Sequence, residues 1–188
     1  LQNLCPSLHL SLQSGSDSTL KRMARRYNTA QYSALVDKIR KNFADATFTT
    51  DVMVGFPGET DEEFNESMDF IAKTVFLKVH VFSYSVRPGT RAAEMENQIS
   101  PAVKADRSRR MIALCEEVRS NILQNAVGKK VQVLWETKKR AGMIEGYTKN
   151  YLPVIVQNGG ECKGTITDTL ITAAESDWCV GEIDGGIE

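Results

Sequence analysis

The sequence predicts an α/β chain: a partial parallel (βα) barrel of about three βα units, followed by a small all-β barrel of OB-like type. Three observations carry this. Strand and helix patterns alternate over the first two thirds of the 188 residues, which implies a parallel sheet with right-handed crossovers. Gly-bearing turns, two of them also with Pro, close the first three strands. At Val127–Gly128 the pattern changes to short strands set between turn signals, as a small barrel requires.

The first strand, Leu8–Gln13, sets Leu8, Leu10 and Leu12 against His9, Ser11 and Gln13. A short helix through Leu20, Met23 and Ala24 follows. Tyr32, Leu35, Val36, Ile39 and Phe43 recur at helical spacing and mark a buried stripe, with Asn28 and Gln31 in capping-box positions. The second strand, Thr47–Val54, is β-branched, and "GFPGET" ends it. Thr60 and Glu63 form a second capping box, ahead of a stripe of Phe64, Met68 and Ile71. The third strand is Lys78–Ser85, closed by "RPGT". Ser100 and Pro101 open a long helix, proline being tolerated in the first turn; its apolar face is Met111, Leu114, Cys115, Val118 and Ile122. Beyond Val127 five strands are expected, near 130–136, 143–148, 153–156, 164–173 and 179–183. The domains are therefore expected at 1–126 and 127–188.

Charge and composition exclude some classes. The net charge of −1 gives no overall attraction to nucleic acid and leaves local basic patches open. No apolar run approaches the ~20 residues of a membrane helix. The first residues have no basic segment, continuous apolar stretch or initiator Met, so they do not read as a signal peptide; they read as the middle of a longer protein. Cys5, Cys115, Cys162 and Cys179 are widely spaced, unlike metal or iron–sulfur ligand sets. They read as reduced thiols of a cytoplasmic protein.

The polar strand faces raise the functional question. In a parallel barrel one strand face packs on helices and the other lines the lumen. His9, Ser11 and Gln13, with Thr49, Asp51 and Met53, then point inward. Buried polar groups need partners. From the pattern alone two readings stay open: an internal polar network, or a site for a polar ligand at the C-terminal strand ends. Three strands cannot close a barrel, so the first domain reads as incomplete, with an open edge that a second copy would cover.

The segments "LHLSLQSGSDSTLKRMARRY", "TTDVMVGFPGETDEEF" and "HVFSYSVRPGTRAAEM" resemble the methylthiotransferases of the radical S-adenosylmethionine superfamily. "GKKVQVLWE" and "EGYTKNYLPVIV" are similar to that family's C-terminal TRAM domain. The resemblance implies a parent enzyme that adds a methylthio group to C2 of a modified adenosine beside the tRNA anticodon. "LSLQSGSD" is most similar to the branch acting on threonylcarbamoyl-adenosine; the isopentenyl-adenosine branch usually has proline where Ser11 stands. A relative modifying a ribosomal-protein aspartate and a noncatalytic RNA-binding module are the alternatives.

The resemblance further implies S-adenosylmethionine and [4Fe–4S] clusters in the parent. The family's C-x3-C-x2-C loop is absent from this sequence, so no metal ligand or catalytic residue is assigned, no cofactor is expected on this chain alone, and it is expected to be inactive alone. Gln13, Ser14 and Asp51 are the implied cofactor-binding residues. The implied partners are the tRNA anticodon stem-loop and the parent's N-terminal cluster-binding and radical segments, with no membrane. RNA-binding candidates are Lys129, Lys130, Lys138, Lys139, Arg140, Tyr147, Lys149, Asn150 and Tyr151, since cations neutralise phosphates and tyrosines stack on bases. From Val127 onward seven Lys/Arg face nine Asp/Glu, so one face must supply the attraction. Trp135 and Trp178 read as packing.

Overall fold

Two capping boxes set the helix starts of the α/β part. Asn28 Oδ1 accepts from Gln31 N at 2.8 Å while Gln31 Oε1 accepts from Asn28 N at 3.1 Å. Thr60 and Glu63 repeat the arrangement at 3.2 and 3.1 Å. Such a cap contributes about 1 kcal/mol. The computed structural model describes residues 4–138, 142–157 and 162–184. Its helices are α1 Asp17–Arg22, α2 Thr29–Asn42, α3 Asp61–Thr74 and α4 Pro101–Gln124. A 3-10 turn, Arg91–Ala93, precedes α4.

Strands β1 Ser7–His9, β2 Thr47–Val54 and β3 Lys78–Ser83 form one sheet in the order β1-β2-β3. β2 and β3 are parallel, from Thr49↔Lys78 to Val54↔Ser83. Strand β1 is shorter than the expected Leu8–Gln13. Thr50 Oγ1 accepts from Leu12 N at 2.9 Å and donates to Leu10 O at 2.6 Å, so a side chain takes the place of a ladder partner. Gln13 then adopts φ 71° and makes an isolated parallel bridge to Val52.

The period-two alternation is plain in β2. Phe48, Thr50, Val52 and Val54 are buried, whereas Thr49, Asp51 and Met53 are half-buried. Leu20, Tyr32, Val36, Phe64, Ile71, Phe76 and Met111 belong to the same unit's core as Leu12, Phe48 and Val52. Tyr32 donates to Leu10 O at 2.6 Å, and burial pushes its hydroxyl up to about 12. Leu35 departs from the expected stripe: it is 46% exposed, because the buried line of α2 runs through Tyr32 and Val36 and leaves it on the flank.

The second all-β part is a closed barrel of β4 Lys130–Lys138, β5 Met143–Thr148, β6 Pro153–Gln157, β7 Ile166–Ala174 and β8 Cys179–Ile183. The order is β4-β5-β6-β8-β7, with β7 returning beside β4. Closure removes every free strand edge. Val133, Trp135, Ile144, Val154, Ile171 and Cys179 fill it, each at most 1% exposed. Trp135 donates through Nε1 to Thr167 Oγ1 at 2.8 Å. Gly146 is required beside that ring: a Cβ there would lie 2.7 Å from Trp135 Cε3 and 2.4 Å from Leu134 O. Trp178 is 37% exposed.

The chain divides into two compact units. One holds 8–44 and 48–118; the other holds 1–7, 45–47 and 119–188. The division thus falls within α4, ahead of the sequence boundary at 126/127, and two short N-terminal pieces group with the barrel. Asn150 shows how: its Nδ2 donates to Asp45 O at 2.8 Å, and its carbonyl accepts from Thr47 Oγ1 at 2.6 Å.

Candidate functional site

The turns after β1 and β2 are held by side chains from the helices. After β2, Glu59 folds back so that its Oε1 accepts from Gly55 N at 2.9 Å. Arg107 of α4 donates to that same oxygen at 2.8 Å, to Glu59 O at 3.0 Å and to Asp61 Oδ1 at 2.7 Å. Burial pushes the Glu59 carboxyl up, against the Gly55 amide and the Arg107 charge. After β1, Gly15 N donates to Ser67 Oγ at 2.9 Å and Ser16 Oγ donates to Glu66 Oε2 at 2.7 Å. Arg22 of α1 binds both carboxylate oxygens of Glu63 and holds that carboxyl below the usual range.

The sheet face away from Leu12 and Val52 carries the chemistry. His9 Nε2 lies 3.4 Å from Asp51 Oδ2 and 3.3 Å from Ser11 Oγ, and His9 Nδ1 lies 2.9 Å from Thr49 Oγ1. His80, in register with Asp51, has its ring 6.4 Å from that of His9. Phe82 on the same strand is 51% exposed. The Asp51 carboxylate is therefore tied to a histidine–threonine network yet remains open to solvent.

Gln13 goes elsewhere. It lines a pocket of about 210 Å³ with Met53, Phe56, Met23, Arg25 and Arg91. Asp51 is not among the lining residues. The expectation that both side chains enter one cavity is thus corrected: the left-handed backbone at Gln13 turns its amide toward the end of α1, although its N–H still bonds Asp51 O at 2.8 Å. Ser14 is 1% exposed, and its Oγ accepts from Ser16 N at 3.2 Å. The Asp51 carboxylate on the open face and the Gln13 amide in its pocket each suit ribose hydroxyls or an ammonium; the Ser14 oxygen already accepts a hydrogen bond within its turn.

The four cysteines differ in burial. Cys5 is exposed, Cys115 half-buried, and Cys162 and Cys179 buried. Burial pushes the Cys115 thiol up to about 12 and the Cys179 thiol up to about 11, disfavouring the thiolates that iron requires. Among the described residues no three His, Cys, Asp or Glu side chains group as a metal site.

On the barrel, Tyr147 and Tyr151 stand with ring centroids 6.0 Å apart, tilted by 39°. With Lys149, Leu134, Glu136 and Ile166 they line a cleft of about 370 Å³. Tyr151 is 55% exposed and has φ 64°. Lys129 is exposed. Lys130 is bound to Asp184, so its charge is already countered. The Asn150 amide is committed at both ends: Nδ2 to Asp45 O, and Oδ1 accepting from Thr148 Oγ1 at 2.6 Å. Lys139 and Arg140 lie outside the described residues, as does the side chain of Lys138. The sequence reading missed Glu59, Arg107, Met23, Arg91 and Met95. All but Arg107 lie in segments quoted as motifs, but only tertiary contact singles them out.

Residues 1–71 match the Radical SAM superfamily. The chain is 37% identical over 97% of its length to a tRNA-2-methylthio-N(6)-dimethylallyladenosine synthase of Caldicellulosiruptor saccharolyticus, covering 39% of that relative. Relatives of the same name from Rhodococcus jostii and Nitratidesulfovibrio vulgaris are 45% and 38% identical over 92% and 98% of the chain, which covers 36% and 43% of them. The chain thus spans about two fifths of the length of these curated relatives. Among solved structures, the coproporphyrinogen III oxidase of Escherichia coli, described as a radical SAM enzyme, superposes with a TM-score of 0.52. The two are 16% identical, and the match covers 77% of this chain and 41% of that one; this likeness speaks to the fold alone.

The match to the Radical SAM superfamily lies in the first 71 residues of the chain. Along nearly its whole length the chain is similar to proteins named as tRNA 2-methylthio-adenosine synthases. No helix among the described residues is long and apolar enough to cross a membrane.

Proposed function

We propose that the chain is part of a cytoplasmic methylthiotransferase that replaces the C2 hydrogen of an N6-modified adenosine in tRNA, beside the anticodon, with a methylthio group. The observation that carries this is the similarity, over more than nine tenths of the chain, to relatives bearing that activity in their names. S-adenosylmethionine, together with a [4Fe–4S] cluster elsewhere in the parent, supplies the means to break an unreactive C–H bond. In this chain Asp51 on the open sheet face and Gln13 at the pocket beside α1 hold different polar groups of S-adenosylmethionine. Without a C-x3-C-x2-C loop the 188-residue chain is inactive alone.

The barrel is the TRAM domain in this reading, and it holds the RNA. Tyr147 and Tyr151 stack on bases; Lys129 and Lys149, with the cations of "KKR", meet phosphates. The exposed outer edges of β1 and β3 are covered by further strands of the parent or by a second copy.

Two N6 substituents have support. Ser11 in "LSLQSGSD" favours the threonylcarbamoyl group; the relatives' names favour dimethylallyl. Mass spectrometry of tRNA nucleosides from a strain deleted for the gene decides between them. Loss of one methylthio nucleoside, with accumulation of its unthiolated precursor, identifies the substrate. An unchanged nucleoside profile overturns the proposal and directs attention to a ribosomal-protein target.

A further inference from the structure

The pocket beside Gln13 combines features that polar packing alone does not require. Two of the non-glycine residues with positive φ line it, Gln13 at 71° and Ala24 at 57°. Such conformations persist where surrounding structure enforces them, often at binding sites. Ala24 stands at the left-handed position of a complete Schellman motif ending α1: Ala24 N donates to Lys21 O at 3.0 Å and Arg25 N to Leu20 O at 2.9 Å. Glycine is the usual residue there. The motif fixes Arg25, the next residue, at the pocket wall.

Arg91 reaches the same pocket from the 3-10 turn. That turn is fastened by Gln98, whose Nε2 donates to Ala92 O at 2.9 Å and Met95 O at 3.0 Å. Arg22 is already committed to Glu63. Arg25 and Arg91 have no ion-pair partner among the described residues, and no carboxylate lines the pocket. The remaining wall is apolar and polarisable: Met23, Met53, Met95 and Phe56.

We infer that this pocket binds one nucleotide of single-stranded RNA, its phosphate between Arg25 and Arg91 and its base against the thioethers and the Phe56 ring. Guanidinium forks suit phosphate oxygens, and methionine sulfur packs favourably on aromatic faces. The site lies at the C-terminal end of the sheet, where Gln13 bridges Val52. The inference rests on the tRNA reading above and adds the residues of the α/β unit that grip the substrate strand.

The test is binding of an unmodified anticodon stem-loop RNA to the full chain over a series of salt concentrations. Replacing both Arg25 and Arg91 by alanine removes two single-strand phosphate contacts, so the log–log salt slope should fall by about 1.4. Arg25→Lys keeps the charge and should retain the slope while weakening affinity. Circular dichroism melting should show all variants as stable as the parent chain, since both side chains are surface-exposed. An unchanged slope in the double variant, with RNA still bound, overturns the nucleotide pocket and leaves the tRNA reading standing. No RNA binding by the unmutated chain overturns both. Binding of adenosine monophosphate at the two arginines without binding of RNA overturns the assignment to a strand.

Discussion

Arg107 Nη1 lies 2.8 Å from Glu59 Oε1, and both residues are only 4% exposed. One guanidinium of α4 thereby locks the turn that follows β2, the strand that carries Asp51 and Met53. Breaking a buried pair on one side leaves an uncompensated charge. Arg107→Met should lower stability by about 3–5 kcal/mol, and adding Glu59→Gln should restore part of the loss. Urea midpoints of the single and double variants measure it; equal midpoints for Arg107→Met and the parent chain would contradict the lock.

Arg22 and Glu63 give a pH dependence. Because the folded Glu63 carboxyl sits below its usual value, held chiefly by the Arg22 hydrogen bond, its contribution is present above the unfolded pKa, about 4.3. It is lost as pH falls through the lower folded value. Glu63→Gln should therefore flatten the acid limb of the stability profile. Urea midpoints between about pH 3 and 6 test this, and an unaltered limb would place the titrating group elsewhere.

Gly15 is pressed against α3. A Cβ there would stand 2.6 Å from Phe70 Cβ and 2.8 Å from Ser67 Cα, and the second contact is backbone. Gly15→Ala should destabilise by about 1–3 kcal/mol, visible as a lower thermal midpoint. The same substitution at Gly89, where nothing lies within 4 Å of the added carbon, separates steric crowding from the φ 79° strain at that turn.

Thiol reactivity should follow burial. Cys5 is exposed, while Cys162 and Cys179 are buried and Cys115 is raised to about 12. One thiol should react quickly with an aromatic disulfide reagent in the native chain, and the remaining three only on unfolding. Fast reaction of Cys179 would show that the barrel opens around it.

Local signals were readable from the residues, and distant ones were not. The Asn28–Gln31 and Thr60–Glu63 capping boxes depend on residues three apart, and both appear as expected. The alternation of β2 survives because its ladder to β3 is regular. Strand β1 departs because Thr50, 38 residues from Leu12, substitutes a hydroxyl for a backbone partner; no pattern within β1 announces that. Arg107 and Glu59 are 48 residues apart, and Lys130 and Asp184 are 54 apart. Lys130, an RNA-binding candidate in the sequence, thus has a surface partner that no local pattern announces. Gln13 was identifiable as a polar lumen-side residue, but its positive φ, and so its pocket, follows from where β1 loses its ladder.

The central claim is that the open sheet face bearing Asp51 serves a methylthiotransferase. The most direct measurement is nucleoside mass spectrometry of tRNA from the deletion strain complemented with the full gene carrying Asp51→Ala, at a protein level matched to the unmutated gene. The account predicts that the N6-modified adenosine accumulates and its methylthio form stays absent or strongly reduced. Full restoration of the methylthio nucleoside by the Asp51→Ala gene would contradict it.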